Sequence, residues 1–344
     1  MIGISELKQS AATFFQKMFL SHEVIFDFAL LPLYQFRVEE VSYVFYTTNN
    51  MIRTPMGYFR YCWKHEPYRV HKQHMIDYYD EIHLAANNYE KGKRTFVNKE
   101  MAYWRSHKRA VQYQTYNAGK MMAEETIAAL FGVERIMTHT HFCRLQIGDG
   151  EEMVGTMMSD AGGVDVRCFK DNYKEVFTPQ LVCDLDNLNI LDAVCHEKDH
   201  RPGNYHLLLD EKGNVVSICS FDNDSPWSFS PFGKINFKTY EKASFLIKDN
   251  EINRPCIDED MANRVLGLKK QQLQEKLSPY LNRCQLNACW KRVHKLQRTL
   301  ENSCNSFRKR EDWNEDVVNQ ELSGRYGRTY LVILCDLYNR INKE

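Results

Sequence analysis

The chain has 344 residues, and its 45 lysines and arginines balance 45 aspartates and glutamates, so the formal net charge is zero. This length exceeds that of a typical domain and predicts one large two-lobed unit or two domains. A neutral chain gives no global electrostatic basis for binding nucleic acid or an anionic membrane surface, and we expect neither partner.

The eleven cysteines are scattered and include no C-x-x-C pair, which favours free thiols in a reducing compartment. The first residues lack the basic region and apolar core of a signal peptide, and the most apolar early run is interrupted by Asp27 and Pro32. We therefore expect a cytoplasmic protein without a transmembrane segment.

Residues 1–110 are predicted to form an N-terminal extension of helical and aromatic character. Ser5 precedes apolar residues at helical spacing, which is typical of a capped amphipathic helix. Residues 24–46 are apolar and β-branched, with Pro32 as an interruption, and favour strands.

The next segment predicts a helix followed by a hairpin. Apolar residues between 118 and 131 fit one helix face, and Gly132 is a typical C-terminal stop. Two extended runs, 140–147 and 152–158, flank Gly148-Asp149-Gly150, which is a hairpin signal.

The pattern of helix and hairpin repeats further along the chain. Leucine, valine and cysteine residues recur at helical spacing between 185 and 195 and predict a buried helix. Residues 205–209 and 215–221 are extended runs around a polar turn, which predicts a second hairpin. Residues 258–300 predict two or three amphipathic helices, and a last helix is expected from Tyr330.

Polar residues fill the loop between the second predicted helix and its hairpin, and the segment after that hairpin: Asp199-His200-Arg201-Pro202-Gly203-Asn204 and Phe221-Asp222-Asn223-Asp224. Phosphoryl transfer requires a positioned hydroxyl and magnesium held by oxygen ligands. Asn204 and Asp222 are predicted to hold Mg²⁺, and Asp199 to orient or deprotonate the acceptor hydroxyl. His200 or Arg201 is expected to meet phosphate charge. Taken singly, such polar turns are common in ordinary loops.

This segment resembles the catalytic loop of the phosphatidylinositol 3-/4-kinase-like branch of the kinase superfamily, which reads Asp-Arg-His-x-x-Asn. The middle pair is inverted here to His200-Arg201, whereas the Asp-to-Asn spacing is kept. The Asp-Phe-Gly motif of the family matches only at Asp222, a departure also met in atypical HipA-like and lanthipeptide-synthetase-like kinases. The resemblance covers about residues 117–300 and implies ATP and Mg²⁺ as cofactors.

The resemblance also implies a lysine that anchors the nucleotide and a glutamate that pairs with it. The glutamate would be Glu124 or Glu125, on the helix that the sequence predicts over residues 118–131. The lysine would be Lys93, Lys99 or Lys108, and Lys108 is preferred for its distance from that helix. Adjacent acidic residues on a helix more commonly form its solvent-exposed face.

The implied fold is α+β and two-lobed, protein-kinase-like, with an N-terminal helical extension and a helical C-terminal block. Residues 152–163 would supply the last small-lobe strand and the hinge at adenine, with Met158 among the nucleotide contacts. The implied segments are an extension to which the first small-lobe strands can belong, the small lobe, the large lobe and a helical tail: 1–110, 111–163, 164–300 and 301–344.

The predicted reaction moves the γ-phosphoryl group of ATP to a hydroxyl of a protein or peptide, a lipid head group or a small molecule. The sequence leaves these three acceptors open. A catalytically inactive kinase-like binding protein is a further hypothesis, because the sequence contains no legible glycine-rich phosphate loop.

The same stretch also satisfies the metzincin pattern H-E-x-x-H-x-x-G-x-x-H through His196, Glu197, His200, Gly203 and His206. In a zinc metalloprotease the three histidines would bind Zn²⁺ and Glu197 would activate water. Pro202 disfavours a helix that continues past the second histidine, and no methionine follows where a methionine turn would lie. The kinase hypothesis is favoured because it also explains the hairpin and the acidic strand end.

Overall fold

The computed structural model describes residues 31–45, 50–61, 110–150, 152–168, 177–197, 200, 202–221, 247–248, 250–281 and 283–341. This part contains seven α-helices, which are α1 Ala110–Phe131, α2 Pro179–Cys195, α3 Glu259–Gly267, α4 Lys270–Leu277, α5 Arg283–Asn302, α6 Glu315–Leu322 and α7 Tyr330–Ile341. Its strands are β1 Leu33–Phe36, β2 Ser42–Phe45, β3 Asn50–Thr54, β4 Gly57–Tyr61, β5 Thr140–Ile147, β6 Met153–Met158, β7 Val164–Asp165, β8 Tyr205–Leu209, β9 Val215–Ser220, β10 Ile247–Lys248, β11 Glu251–Ile252, β12 Ile257–Asp258 and β13 Phe307–Arg308. The predicted α+β class is confirmed.

The chain divides into two compact units. Unit 1 comprises the described residues up to Ala118 together with His141–Met158, and unit 2 comprises Gly119–Thr140 and the described residues from Ser159 onwards. Helix α1 therefore contributes to both units. The segment predicted as a small lobe, 111–163, is shared between them, whereas the predicted tail, 301–344, belongs to unit 2.

Unit 1 contains a six-stranded mixed sheet with the strand order β1-β5-β6-β4-β3-β2. β1 runs parallel to β5, whereas β2, β3 and β4 form an antiparallel meander and β4 pairs antiparallel with β6. Gly155 in β6 allows this pairing, because a Cβ atom there would lie 2.1 Å from the carbonyl oxygen of Arg60. The buried side chains of the sheet are Ile52, Phe59, Cys143, Leu145 and Met157.

Helix α2 lies at the centre of unit 2. Thr178 caps it by accepting a hydrogen bond from the amide of Leu181, and Pro179 follows at the first helical position. Every residue from Leu181 to Cys195 is buried, and the helix packs against α5, α6, α7 and β9. The helix that apolar spacing predicts over 185–195 is thus confirmed, and it is the core of unit 2.

Polar residues on α2 are buried as completely as its leucines. Apolar spacing alone predicts an amphipathic helix with a solvent-exposed polar face, but neighbouring elements cover that face and supply partners. Asp184 accepts from Arg135 at 2.7 Å and from Arg310 at 2.8 Å, and Asp186 accepts from Arg254 at 2.8 Å. The buried polar residues of the helix are Asp184, Asp186, Asn187, Asn189 and Asp192.

Other predicted elements also match. The predicted helix over 118–131 is the second half of α1, and Gly132 ends it with φ +73°. Both hairpins form, as β5-β6 and β8-β9, and the segment 258–300 contains α3, α4 and most of α5. The last helix begins at Tyr330 as predicted. The helix predicted after Ser5 lies outside the described residues.

Two chemical features concern the whole described chain. Nine of its cysteines are free thiols, and six of these are buried, namely Cys143, Cys183, Cys195, Cys219, Cys289 and Cys335. None of its helices combines the length and the apolar character that a membrane crossing requires.

The central position of α2 predicts the cost of a core truncation. Leu188→Ala should lower the free energy of unfolding by about 3 kcal/mol, because Leu188 is fully buried and its loss leaves a cavity. Leu209→Ala is the matched control, since Leu209 is 39% exposed and its change should stay within about 1 kcal/mol. Urea unfolding measures both, and equal effects would contradict the central position of α2.

A buried acid pair beside Arg254 predicts a pH dependence. Burial and the neighbouring Asp186 carboxylate raise the pKa of Glu321 from 4.5 to about 8, although Arg254 opposes this. The folded state therefore holds a proton that the unfolded chain releases near pH 4.5. The stability that this proton contributes is present at low pH and is lost as the pH rises to about 8.

Glu321→Gln should remove this part of the pH dependence, because glutamine stays neutral at every pH. Urea unfolding midpoints between about pH 5 and about pH 8 test it, with the exposed Glu311→Gln as control. If the urea midpoint of Glu321→Gln changes with pH as steeply as that of the wild type, another group causes the pH dependence.

Candidate functional site

The end of α2 fixes where the loop to β8 begins. His196 adopts a left-handed conformation with φ 61° and ψ 39°, and its amide bonds to the carbonyl of Asp192. The amide of Glu197 bonds to the same carbonyl at 3.0 Å, which closes the helix. Arg292 of α5 donates from Nε to the carbonyl of Val194 at 2.5 Å, where a cation complements the helix C-terminus.

His200 is hydrogen-bonded to two elements of unit 2 and is linked to a third through Asp192. Its Nδ1 atom lies 2.5 Å from Asp192 Oδ1 in the last turn of α2, and its Nε2 atom lies 2.5 Å from Ser220 Oγ at the end of β9. The second oxygen of Asp192 accepts a hydrogen bond from the hydroxyl of Tyr330 in α7. All four side chains are buried, so this chain of hydrogen bonds is part of the core.

The surroundings make His200 a cation. Burial by itself lowers the pKa of an imidazole, but the charge and hydrogen bond of Asp192, with the charges of Glu124 and Glu197, raise the pKa of His200 to about 10. Asp192 and His200 therefore form a buried, hydrogen-bonded ion pair at neutral pH.

The order Ser220–His200–Asp192 is also that of a nucleophilic triad. A protonated His200 cannot act as a base, however, and Ser220 is 0% exposed. The arrangement therefore positions the loop and does not activate a serine.

Glu124 of α1 is a third titratable residue at this point. It is 0% exposed, and neither of its carboxyl oxygens has a hydrogen-bond partner in the described part of the chain. Ligand atoms of Glu124, Asp192 and His200 all lie within 4.8 Å of one another. Burial, followed by the charge of Glu197, raises the pKa of Glu124 well above its usual range. Both effects favour the neutral, protonated form of the Glu124 carboxyl group.

Glu125, the next residue, has a different environment. It bonds to Nδ1 of His139 and accepts from the amide of Thr140 at 2.8 Å, which fixes the start of β5. The interpretation of both glutamates as a solvent-exposed helix face is wrong for Glu124, because unit 2 buries that side of α1.

The turn before β8 and the end of β9 meet through the backbone. Pro202–Asn204 forms a 3₁₀ turn in which Asn204 is buried. The carbonyl of Asn204 accepts a hydrogen bond from the amide of Phe221 at 3.0 Å. Asn204 is therefore adjacent to the residue that precedes Asp222 in the chain.

The predicted site residues have different outcomes. Lys108, Asp199, Arg201 and Asp222 lie outside the described residues, as do Lys93 and Lys99. Met158 ends β6 in unit 1, is buried and pairs with Tyr58. His200 differs from the expectation that it meets phosphate charge, because both of its ring nitrogens already bond to protein groups.

The histidines of the H-E-x-x-H pattern do not share a helix face. A zinc helix requires His196 and His200 one turn apart on the same helix, but α2 ends before His196, whose φ is positive. His206 lies in β8, where Nδ1 donates to the carbonyl of Gly162 at 2.6 Å and the ring packs edge-on against Phe221. The helix through His200 that the metzincin hypothesis requires is therefore not formed by α2, which ends at Cys195.

The sequence did not reveal the partners of His200, which are Asp192 and Ser220, or Tyr330, which donates to Asp192. Asp192 belongs to a helix whose leucines already predict burial, so a polar residue in its last turn was the available signal. Ser220 and Tyr330 carry no such signal, because serine at a strand end and tyrosine at a helix start are common in any fold.

No protein-family model matches the chain, and no curated protein matches it. The function is therefore inferred from the residues and their geometry.

The two hydrogen-bond partners of His200 should contribute unequally to the stability of the protein. Asp192→Asn should lower the free energy of unfolding by about 3–5 kcal/mol, because it leaves a buried imidazolium without its counter-charge. Ser220→Ala should cost about 1–3 kcal/mol, since it removes one hydrogen bond. Asp336→Asn breaks an exposed ion pair with Arg328 and should cost less than about 1 kcal/mol. Urea unfolding ranks the three variants, and an Asp192→Asn effect as small as that of the control would contradict the ion pair.

Proposed function

We propose that the protein is a kinase-like phosphotransferase with the two-lobed fold of that superfamily, which moves the γ-phosphoryl group of ATP to a hydroxyl. In this reaction the hydroxyl oxygen bonds to the γ-phosphorus, the bond from that phosphorus to the leaving oxygen of ADP breaks, and the hydroxyl proton is released. The observation that carries the proposal is the hydrogen bond between Asn204 and Phe221. It joins the loop and the strand end from which the two metal ligands would come.

The order of elements supports the same assignment. A buried helix, α2, leads into a polar loop, the loop leads into the β8-β9 hairpin, and the hairpin ends where the acidic segment begins. The kinase hypothesis needs these elements in this order, because two ligands far apart in sequence must reach one metal. The metzincin hypothesis needs a helix through His200, which α2 does not provide.

The donor set fits magnesium. Asn204 offers a carboxamide oxygen and Asp222 a carboxylate, and hard oxygen ligands suit Mg²⁺. Bound there with the nucleotide, the ion would neutralise charge on the phosphates. Asp199 would accept the proton from the acceptor hydroxyl.

The hydrogen bonds of His200 fix one residue of this loop. His200 follows Asp199 directly and is held from both sides of its ring. Phosphoryl transfer depends mainly on holding the reacting groups in place, so a fixed neighbour favours a role for Asp199. The acceptor hydroxyl belongs to a protein or peptide, a lipid head group or a small molecule. The transfer assay described below tests each of these acceptor classes.

Nucleotide binding is the first test. Mg·ATP at about 100 times its Kd should add about 2.7 kcal/mol to the stability of the wild-type protein, seen as a rise in melting temperature. Asp222→Asn should abolish this rise and Asn204→Ala should reduce it, because each removes a metal ligand. Glu211→Gln is the control, since Glu211 is exposed in the β8-β9 turn. No stabilisation of the wild type by Mg·ATP would overturn the proposal.

Turnover is the second measurement. Transfer of label from γ-labelled ATP to peptides, lipid head groups or small alcohols should occur with the wild type and be lost in Asp222→Asn. Nucleotide binding without transfer to any acceptor class would instead favour the inactive binding protein. Zinc-dependent peptide hydrolysis that His206→Gln removes would favour the metzincin hypothesis.

A further inference from the structure

Glu124 is a buried carboxyl group that the proposed reaction does not use. It lies on α1 and is fully buried, and in the described part of the chain neither oxygen has a hydrogen-bond partner. Removing a carboxylate from water without giving it a partner is strongly unfavourable. A proton or a bound cation must therefore neutralise it in the folded protein.

Two further side chains with ligand atoms face Glu124. Asp192 comes from the last turn of α2 and His200 from the loop beyond it, and the ligand atoms of the three residues lie within 4.8 Å of one another. All three residues are buried, and they come from three separate segments of unit 2.

We propose that Glu124, Asp192 and His200 form a binding site for a divalent transition-metal ion, best fitted by Zn²⁺, which links α1 to α2 and to the loop. This site goes beyond the proposed phosphotransferase and shares no ligand with the magnesium expected at Asn204 and Asp222.

The donor set selects the class of metal. Imidazole suits zinc and its transition-metal neighbours, whereas magnesium prefers six oxygen ligands and keeps several waters. Two carboxylates and a neutral imidazole balance the charge of one divalent ion, so Glu124 becomes a ligand and no longer an uncompensated group.

The outer partners of the cluster match those of a metal centre. A ligating histidine usually donates its other N–H to a protein group, and ligating carboxylates are themselves hydrogen-bonded. His200 would bind through Nδ1 while Nε2–H donates to Ser220 Oγ at 2.5 Å. Asp192 would bind through Oδ1 while Oδ2 accepts from Tyr330.

The ion would replace the proton that now joins His200 and Asp192. Nδ1 and Oδ1 are 2.5 Å apart, and they would separate to about 3.3 Å, the spacing of two ligands on a tetrahedral zinc ion. Water or Glu197, whose charge acts on Glu124, would complete four-coordination. Glu124 would then not be the partner of the nucleotide-anchoring lysine.

The burial of the site determines the experiment. Because the ion would enter during folding, the full-length protein is unfolded in urea with a chelator and refolded without metal, with Zn²⁺ or with Mn²⁺. After gel filtration, elemental analysis should find about one zinc per chain, and the melting temperature of the zinc-refolded protein should exceed that of the metal-free protein.

Four variants separate this ligand set from other sources of zinc. Glu124→Gln keeps the shape of the side chain and should reduce the zinc content to background. Glu125→Gln changes the adjacent glutamate, outside the cluster, and should keep the zinc. His206→Gln also should keep it, whereas the metzincin pattern requires its loss. Ser220→Ala should weaken zinc binding by about 10–100-fold, as is typical of an outer partner.

The outcomes are decisive in either direction. Zinc that is lost in Glu124→Gln and kept in both control variants supports the site. A wild-type protein that refolds without binding zinc or manganese overturns it, and Glu124 is then a protonated carboxyl group. Zinc retained by Glu124→Gln also overturns it. If Glu124→Gln does not fold, the zinc content of the refolded wild-type protein decides alone. The Mg·ATP measurements do not depend on any of these zinc experiments.

Discussion

The ion pair between Asp192 and His200 is the interaction on which the centre of unit 2 depends. Two charged groups in a dry interior are costly unless they are close and their remaining polar atoms are bonded. The structure meets both conditions. The two charged groups are hydrogen-bonded to each other, Ser220 bonds to the second nitrogen of the ring, and Tyr330 donates to the second oxygen of the carboxylate. One pair thereby joins the end of α2, the polar loop, the end of β9 and the start of α7. This pairing fixes the position of His200.

Helix α2 contains further buried carboxylates that are paired with cations. Asp184 is held by Arg135 and Arg310, and Asp186 by Arg254. Each arginine comes from a different element of unit 2. A leucine core tolerates several packing arrangements, but a buried carboxylate accepts only the arrangement that brings its partner. The polar residues of α2 therefore specify which elements pack around it.

His200 connects the two proposals. In the proposed phosphotransferase it is the sequence neighbour of Asp199, and in the proposed metal site it is a ligand together with Glu124 of α1. In both roles Nδ1 stays on the side of Asp192 and Nε2 on the side of Ser220. The sequence places the same histidine in a loop that resembles that of kinases and in a zinc motif. In the structure its neighbours with metal-ligating atoms are Glu124 and Asp192, not His196 and His206.

The sequence by itself determined the elements around the site. Apolar spacing gave the helix over 185–195, turn residues gave the two hairpins, and Gly132 gave the end of α1, because each of these signals acts over a few residues. The spacing of Asp199, Asn204 and Asp222 likewise led to a chemical hypothesis without any tertiary contact.

Only the tertiary structure decided which side chains meet. Asp192 and Tyr330 are 138 residues apart, and Glu124 lies on a helix whose acidic residues, from sequence, belong to a solvent-exposed face. Whether such a residue faces water or the core depends on which elements pack over it. That packing is a property of the whole chain. The sequence identified His200 as a functional candidate, and the fold assigned it Asp192, Ser220 and Glu124 as neighbours.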